Sequence, residues 1–430
     1  MKLRPDSLAF ALSNAARALA SVEAGIALPR ALSQVFDGSD LPSAARGAIQ
    51  DLCYRGLRQW GIAQALVNAL TDKSPSPPRL KALLACALAL LAEAEPGYAD
   101  HTLVDQAVSA CGADRELMRA KGMVNAVLRR MLRERAALLS QLQQREDLRW
   151  NYPPWWIDAV RSAYPQQWEQ VLAAGNAQPP LTLRVNLRKA TVAGMLDSFA
   201  EAGISARQIG PVALRLQRPR PVNTIPGFAE GCVSVQDAAA QLAAPLLDLQ
   251  DGMRVLDACA APGGKTGHLL ETAALDVLAL DQDPLRLQRV AQNLDRLQLK
   301  AELRQGDASA TDWWDGRPFD RILADVPCTA SGIVRRHPDI RWLRRPDDAA
   351  QLANVSAAIL DNLWTMLKPG GKLLLVTCSL WPEESVLQAS RFAERSGARR
   401  LDAPGQLLPT ASADEDHDGL FYALLEKPRV

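Results

Sequence analysis

The chain has 430 residues, of which 48% are hydrophobic, and its formal net charge is +1. This composition excludes a disordered chain, and the length suffices for two or three domains because single cores rarely exceed about 250–300 residues. The scattered cysteines and the few histidines form no disulfide framework and no metal-ligand cluster, so we expect a cytoplasmic protein with reduced thiols and no metal.

Residues 1–143 are predicted to form an all-helical domain. The sequence there is rich in Ala, Leu and Arg, and apolar positions such as Leu52, Leu57 and Trp60 have helical spacing. The longest charge-free apolar run, Ala82–Ala92, is far shorter than the roughly 20 residues of a membrane helix and predicts a buried helix. The N-terminus has no signal-peptide pattern, so we expect no membrane association.

Residues 144–245 are predicted to form a small mixed α/β module. A linker with two prolines at Tyr152–Trp156 separates it from the helices. We expect a strand at Leu181–Asn186 and a helix near Val192–Ala202. Basic side chains outnumber acidic ones across residues 182–220. A solvated basic face and a nucleic-acid-binding surface are about equally consistent with this excess.

From residue 246 onward short apolar strands alternate with helices. This alternation predicts a Rossmann-like, doubly wound α/β domain over residues 246–430, in which ligands bind at the carboxyl ends of the strands. The predicted helices follow Gly264, Pro284, Pro346 and Pro382. The predicted strands are Met253–Asp257, Val277–Asp281, Ala301–Arg304, Arg321–Asp325 and Lys372–Thr377.

The loop after the first predicted strand consists of small residues and leads into a helix. Small residues let a ligand approach the backbone, and a helix N-terminus presents unpaired N–H groups to it. A Walker A loop is excluded because Cys259 occupies a position that must be glycine, and the dinucleotide-binding glycine spacing is also absent. A tight turn without a ligand is the alternative at this point. The loop reads Cys259-Ala260-Ala261-Pro262-Gly263-Gly264-Lys265.

Aspartates follow one another at successive strand ends. Asp257 precedes the loop, Asp281 ends the next strand, and Asp307 follows the third. A carboxylate at Asp281 suits the two hydroxyls of a ribose, and Asp307 lies where an adenine amino group would be bound. One aspartate alone is more often a cap or turn residue. Three strand-end acids beside one open loop indicate a cofactor site.

Two cysteines follow neighbouring predicted strands. Cys328 comes shortly after Asp325, and Cys378 directly follows Thr377. In a doubly wound sheet both thiols are expected at the crevice that binds the cofactor. The other cysteines outside the loop are interpreted as small buried hydrophobes, which is the usual role of a lone cysteine.

Two thiols beside an acid favour methylation at carbon 5 of a cytosine over methylation of a nitrogen. Carbon 5 becomes nucleophilic once a thiolate has added to carbon 6 of the ring. A carboxyl at Asp325 can hold the exocyclic amine and the ring nitrogen of the base. These residues alone do not indicate which thiol attacks.

Together these motifs resemble the signature of the RNA cytosine-5 methyltransferases of the Sun/Nol/Nop2 family. The resemblance spans essentially the whole chain and is strongest to the bacterial Sun/Fmu branch, which methylates a cytosine in 16S ribosomal RNA with S-adenosylmethionine. It implies that Cys378 is the nucleophile and that Cys328 assists product release, beside the base-positioning role that the chemistry suggests for Asp325. The matching segments are Leu183–Asn186, Val235–Asp237, Cys259–Lys265, Asp325–Cys328, Arg336–Leu343 and Thr377–Ser379.

The resemblance also implies the cofactor contacts and the partner. The N-terminal helices resemble the RNA-binding domain of the antitermination factor NusB, and we expect a monomer whose partner is 16S ribosomal RNA. The implied cofactor contacts are Cys259, Ala260, Ala261, Pro262, Gly263, Gly264, Lys265, Asp281, Asp307 and Asp325. Arginines near a base pocket can hold phosphates or stack on bases; the expected RNA contacts are Arg184, Arg335, Arg336, Arg341 and Arg344.

Two alternative functions stay open at this point. The same chemistry can act on a cytosine of tRNA or of another RNA. A different class of protein is an RNA-binding assembly or antitermination factor whose methyltransferase domain only binds cofactor. The cysteines present at both strand ends argue against the second alternative, because a non-catalytic domain does not need them.

Overall fold

The structure is a computed structural model that describes residues 3–37, 41–94, 97–412 and 415–429. These residues form two compact units. The first contains the described residues up to Asn176 together with Val334–Arg345, and the second contains Ala177–Ile333 and the described residues from Pro346 onward. The helices after residue 143 pack within the first unit, and the predicted boundary at 245 lies inside the second unit.

The first unit is helical, as its apolar spacing predicts. Helix α1 begins after Ser7, whose hydroxyl accepts a hydrogen bond from the N–H of Phe10. The apolar run predicted as a core helix lies in α5, where every residue from Ala82 to Leu91 is buried. The helices are α1 (Leu8–Glu23), α2 (Leu28–Phe36), α3 (Ser43–Arg58), α4 (Trp60–Leu70), α5 (Pro78–Ala92), α6 (Asp100–Ala113), α7 (Lys121–Gln143), α8 (Glu146–Trp150), α9 (Pro154–Ala163) and α10 (Trp168–Asn176).

The second unit begins with a small antiparallel sheet. Its strands are ordered β2-β3-β1-β4, and Met195 and Phe199 of the accompanying helix pack against Leu183 and Leu214. The strand and the helix predicted near residues 181 and 192 are confirmed to within one residue at each end. The elements are β1 (Leu181–Val185), α11 (Val192–Glu201), β2 (Ala206–Gln208), β3 (Ala213–Leu216) and β4 (Val233–Val235).

The main sheet of the second unit has the strand order β10-β13-β9-β8-β5-β6-β7. The five strands from β9 to β7 in this order are parallel. Strand β13 is antiparallel to β9, and β10 is antiparallel to β13, so β10 runs in the same direction as the five parallel strands. The strands are β5 (Arg254–Ala258), β6 (Asp276–Asp281), β7 (Glu302–Gln305), β8 (Phe319–Asp325), β9 (Leu367–Thr377), β10 (Arg399–Leu407) and β13 (Leu420–Glu426), with a separate pair β11 (Thr410–Ala411) and β12 (Asp416–His417).

Both faces of the main sheet are covered. Leu256 and Leu278 pack into one apolar cluster, whereas their neighbours Val255 and Val277 pack into another. Burial on alternate sides explains why the parallel strands read as continuous apolar runs. The helices of this part of the chain are α12 (Ala243–Leu246), α13 (Gly264–Thr272), α14 (Pro284–Leu297), α15 (Ile340–Leu343, in the first unit), α16 (Asp348–Thr365) and α17 (Val386–Ser396).

The helical N-terminal part and the α/β sheet of alternating strands and helices predicted from the sequence are both confirmed. The five predicted strands of the main sheet match β5 to β9. Among the described residues, no helix combines the length and the apolar character that crossing a bilayer requires.

The segment Val334–Arg345 belongs to the first unit although its chain neighbours on both sides belong to the second. It contains α15. The Asp339 carboxylate accepts a hydrogen bond from the N–H of Leu28 at 2.9 Å. The indole N–H of Trp342 donates to the carbonyl of Leu57 at 3.1 Å. The segment is therefore a structural part of the helical unit.

Candidate active site

The predicted cofactor loop connects β5 to α13 and has a strained backbone. Cys259 has φ of 64° and Gly263 has φ of 92°. A Cβ atom at position 263 would lie 3.1 Å from the Cα of Val290, so only glycine fits there. The N–H of Ala261 donates to Asp281 Oδ2 at 3.1 Å. Asp281 therefore fixes the loop at the carboxyl end of the sheet.

A pocket opens beside this loop. Cys259, Asp281 and Asp307 line it, and Pro327 and Ile359 add apolar surface. Carboxylates accept hydrogen bonds from hydroxyl or amino groups, and apolar side chains pack against a ring, so this lining suits a nucleoside. The pocket brings together three of the residues that were predicted to bind a cofactor.

Lys265 and Asp325 form an ion pair at the same end of the sheet. Lys265 Nζ lies 2.7 Å from Asp325 Oδ2. Burial opposes the charge on Lys265, but the Asp325 carboxylate outweighs it, so the pKa of Lys265 is raised above its ordinary value. Lys265 is therefore protonated at neutral pH and holds the Asp325 carboxylate in place.

The two predicted thiols lie side by side. Strands β8 and β9 are paired in parallel, with Asp325 opposite Val376. The Sγ atoms of Cys328 and Cys378 are 3.5 Å apart. A hydrogen bond with Cys328 and burial raise the pKa of Cys378 well above its usual value, and the Asp325 charge adds to the effect. Cys378 is therefore a neutral thiol at pH 7 and must lose its proton when it attacks.

The raised pKa of Cys378 predicts how its alkylation depends on pH. Because only the thiolate reacts, we expect the rate with iodoacetamide to rise about tenfold per pH unit from about pH 7 to pH 9 without a plateau. An ordinary cysteine, with a pKa of about 8.5, levels off within that range. Mass spectrometry of the Cys378 peptide measures the rate.

Cys328→Ala serves as the control for this measurement. It removes the largest cause of the shift, so the rate at Cys378 should level off at a lower pH in that variant than in the parent protein. Identical pH profiles for the two proteins would contradict the assignment.

Arg184 does not lie on a surface, and its prediction as an RNA contact is corrected. Its side chain is 0% exposed. It donates to both carboxylate oxygens of Glu271, at 2.8 and 2.7 Å, and to the carbonyl of Gly264 at 2.9 Å. Arg184 therefore ties β1 to the beginning of α13, next to the cofactor loop, and its guanidinium is unavailable to a phosphate.

Arg335 and Arg341 are also buried, at 1% and 0% exposure, so their prediction as RNA contacts is corrected too. The Arg341 guanidinium stacks 4.0 Å from the ring centroid of Tyr152 and donates to the carbonyl of Gly175 at 2.7 Å. Both arginines are part of the helical unit. Arg336 and Arg344 are half-buried, and for these two residues an RNA contact stays a prediction.

Glu384 was not predicted from the sequence as a site residue, and it is 1% exposed. The N–H of Thr329, the residue after Cys328, donates to it at 2.8 Å, and the hydroxyl of Ser379, the residue after Cys378, also donates to it. Glu383 and Glu384 lie shortly before α17. Acidic residues at such a position are usually exposed and stabilise the helix through its dipole, so the sequence gives no reason to expect a buried one. Its distance of six residues from Cys378 was the only signal.

In the described ranges, no three potential metal-ligating side chains cluster.

Two family profiles match the chain. The profile described as 16S rRNA methyltransferase RsmB/F matches residues 244–426, and a ferredoxin-like domain of RsmF/B-like methyltransferases matches residues 152–223. The protein named ribosomal RNA small subunit methyltransferase B from Vibrio cholerae is 42% identical over 88% of this chain and 89% of its own length. The protein of that name from Serratia proteamaculans is also 42% identical, over 89% of this chain and 90% of its own.

Solved structures share the fold. The crystal structure of PH0851 superposes with a TM-score of 0.78 at 23% identity, covering 99% of this chain and 100% of that chain. A methyltransferase homologue from Pyrococcus horikoshii gives a TM-score of 0.57 at 25% identity, covering 67% of this chain and 99% of that chain. The solved structures show the fold, and the 42% identity to the curated relatives along most of both chains, with the matching profile, shows that the chain belongs to the RsmB/F family of 16S rRNA methyltransferases.

Proposed function

We propose that this protein transfers a methyl group from S-adenosylmethionine to carbon 5 of a cytosine in 16S ribosomal RNA, through a covalent bond between Cys378 and carbon 6. The observation that supports this chemistry is the thiol pair, with Sγ atoms 3.5 Å apart. The pair lies at the ends of β8 and β9, at the same edge of the sheet as the nucleoside-type pocket beside the ends of β5, β6 and β7. A methyltransferase acting on nitrogen has no use for two such thiols.

The pocket residues fit S-adenosylmethionine. Asp281 would accept hydrogen bonds from the ribose hydroxyls, and Asp307 would accept one from the adenine amino group, with Ile359 against the ring. The loop Cys259–Lys265 would hold the methionine part at the N-terminus of α13. The sulfonium of the bound cofactor supplies an electrophilic methyl group.

The side chains at the strand ends divide the remaining work. Cys378 adds to carbon 6, which places electron density on carbon 5. Asp325, held by Lys265, accepts hydrogen bonds from the exocyclic amine and positions the base. After methyl transfer Cys328 assists loss of the carbon 5 proton and release of Cys378 from the product. The assignment of the two cysteines rests on the family resemblance.

The helical unit is proposed as an RNA-binding part of NusB type. Arg336 and Arg344 are the proposed RNA contacts that remain. The target cytosine must be unstacked or in a loop to reach a thiol at the bottom of the crevice. We further propose that the protein acts in the cytoplasm as a monomer.

Substrate identity is tested by transfer of a labelled methyl group. The protein is incubated with labelled S-adenosylmethionine and, separately, with naked 16S RNA, assembled small subunits and tRNA, and the modified base is then mapped. We expect label at carbon 5 of one cytosine of 16S RNA. Label in tRNA alone would support the other RNA substrate, and cofactor binding without transfer to any RNA would support a non-catalytic assembly factor.

A further inference from the structure

One buried carboxylate joins the two loops that carry the thiols. Glu384 accepts hydrogen bonds from the N–H and the hydroxyl of Thr329, at 2.8 and 2.6 Å. It also accepts one from the hydroxyl of Ser379. Thr329 directly follows Cys328, and Ser379 directly follows Cys378. The same side chain therefore holds the residue next to each thiol.

Further hydrogen bonds connect the same two loops. The N–H of Leu380 donates to the hydroxyl of Ser331 at 2.7 Å, and the N–H of Gly332 donates to the carbonyl of Cys378 at 2.8 Å. The N–H of Trp381 donates to the hydroxyl of Ser379 at 3.0 Å. The Ser379 hydroxyl thus accepts from the backbone of its own loop while it donates to Glu384.

A carboxylate is the side chain that suits this position. It only accepts hydrogen bonds, and its two oxygens offer about four acceptor sites, so the three donors from Thr329 and Ser379 can converge on it. Hydrogen bonds to a charged acceptor are about twice as strong as those between neutral groups. Breaking this set would loosen the segments after β8 and β9, which would then be connected by the remaining hydrogen bonds of Ser331 and Gly332.

We propose that Glu384 is a positioning residue that sets the distance between the thiols of Cys328 and Cys378. Glu384 acts through Thr329 and Ser379. The consequence for catalysis rests on the proposed function, because both thiols must then reach adjacent carbons of one base. The consequence for the spacing of the two sulfur atoms holds whatever the reaction is.

The spacing is tested with phenylarsine oxide on the full-length protein in the absence of RNA. Its arsenic atom bonds to two adjacent sulfurs, and the two thiol protons leave with the oxide oxygen as one water molecule. We expect wild-type protein to be captured, and capture to be weakened about tenfold in Glu384→Gln, because one acceptor oxygen becomes an NH2 donor and the remaining hydrogen bonds lose their charge assistance. A tenfold loss corresponds to about 1.4 kcal/mol. Glu384→Ala should weaken it further.

Adjacent Glu383 provides the matched control, because it has the same side chain but is exposed. Glu383→Gln should be captured like wild type, and Cys328→Ala should show the background from the other cysteines. Equal capture of Glu384→Gln and wild type would overturn the proposal, as would an equal loss in Glu383→Gln. Thermal unfolding is followed for each variant; if Glu384→Ala does not fold, the comparison with Glu384→Gln still decides.

Methyl transfer provides the second measurement. Glu384→Gln should lower kcat while the KM for S-adenosylmethionine stays within about twofold, since a loss confined to kcat marks an interaction needed after binding. A rise in the KM for the cofactor with unchanged kcat would overturn the catalytic part. If wild-type protein transfers no methyl group but the arsenical results are as expected, the proposed function fails and the role of Glu384 in spacing stands.

Discussion

Cys378→Ala is expected to reduce methyl transfer to 16S RNA by about four orders of magnitude or more, because without the thiol carbon 5 is never activated. Cys328→Ala is expected to behave differently. Its Cys378 thiol still adds to the base, but release of the product is impaired, so a covalent protein–RNA complex should accumulate. The two variants differ although the two sulfur atoms are only 3.5 Å apart.

Denaturing gels with labelled RNA measure the covalent complex, and labelled S-adenosylmethionine measures turnover. Cys232→Ala is the control, because Cys232 packs against the core of the small sheet. It should retain both turnover and the low level of complex seen with wild type. Full turnover by Cys378→Ala would refute the covalent mechanism. Accumulation of the complex in Cys378→Ala in place of Cys328→Ala would reverse the two roles.

Arg184→Met is expected to destabilise the second unit by about 3–5 kcal/mol, because it leaves the Glu271 carboxylate buried without its counter-charge. The Arg184 side chain is 0% exposed and that of Glu271 is 5% exposed, so water cannot replace the lost partner. The free energy of unfolding from urea titration, followed by a probe in the second unit, measures the loss.

Two controls separate this structural role from RNA binding. Arg218→Met removes an exposed arginine of the same module and should leave the free energy of unfolding nearly unchanged. The double variant Arg184→Met with Glu271→Met should recover most of the stability, since apolar pairs often replace buried ion pairs at little cost. An Arg184→Met protein with unchanged unfolding and weaker RNA binding would restore the original interpretation of Arg184 as an RNA contact.

The parallel strands of the main sheet could be predicted because each one is short, apolar and followed by a polar or small residue. In a doubly wound sheet, the carboxyl ends of the parallel strands meet at one edge. This geometry explains why Asp281, Asp307 and Asp325, far apart in sequence, were expected together. It also explains why Cys328 and Cys378 were expected as neighbours, which the pairing of β8 with β9 confirms.

The buried arginines could not be predicted because their partners are distant in the sequence. Arg341 stacks on Tyr152, and Arg184 pairs with Glu271. A local excess of basic residues looks the same whether the side chains face water or are paired inside the protein. Burial of a charge depends on a specific long-range partner, which composition and spacing do not reveal.

The last strand was also missed, for a different reason. Strand β13 (Leu420–Glu426) is a continuous apolar run without alternation, and such a run is equally consistent with a buried helix. It enters the sheet antiparallel to β9, outside the strand–helix alternation that revealed the others. The alternation therefore predicts the five neighbouring parallel strands and says nothing about β13, the strand that runs against them.

The segment Val334–Arg345 has a consequence for how such a protein can evolve. Because this stretch supplies buried side chains to the helical unit from within the sequence of the methyltransferase unit, no single recombination point separates the two. A gene that lost its first 176 codons would keep a fragment of the missing fold, with Arg335 and Arg341 deprived of their surroundings. Loss of the helical unit alone therefore exposes side chains that are buried in the intact protein, unless the segment Val334–Arg345 changes with it.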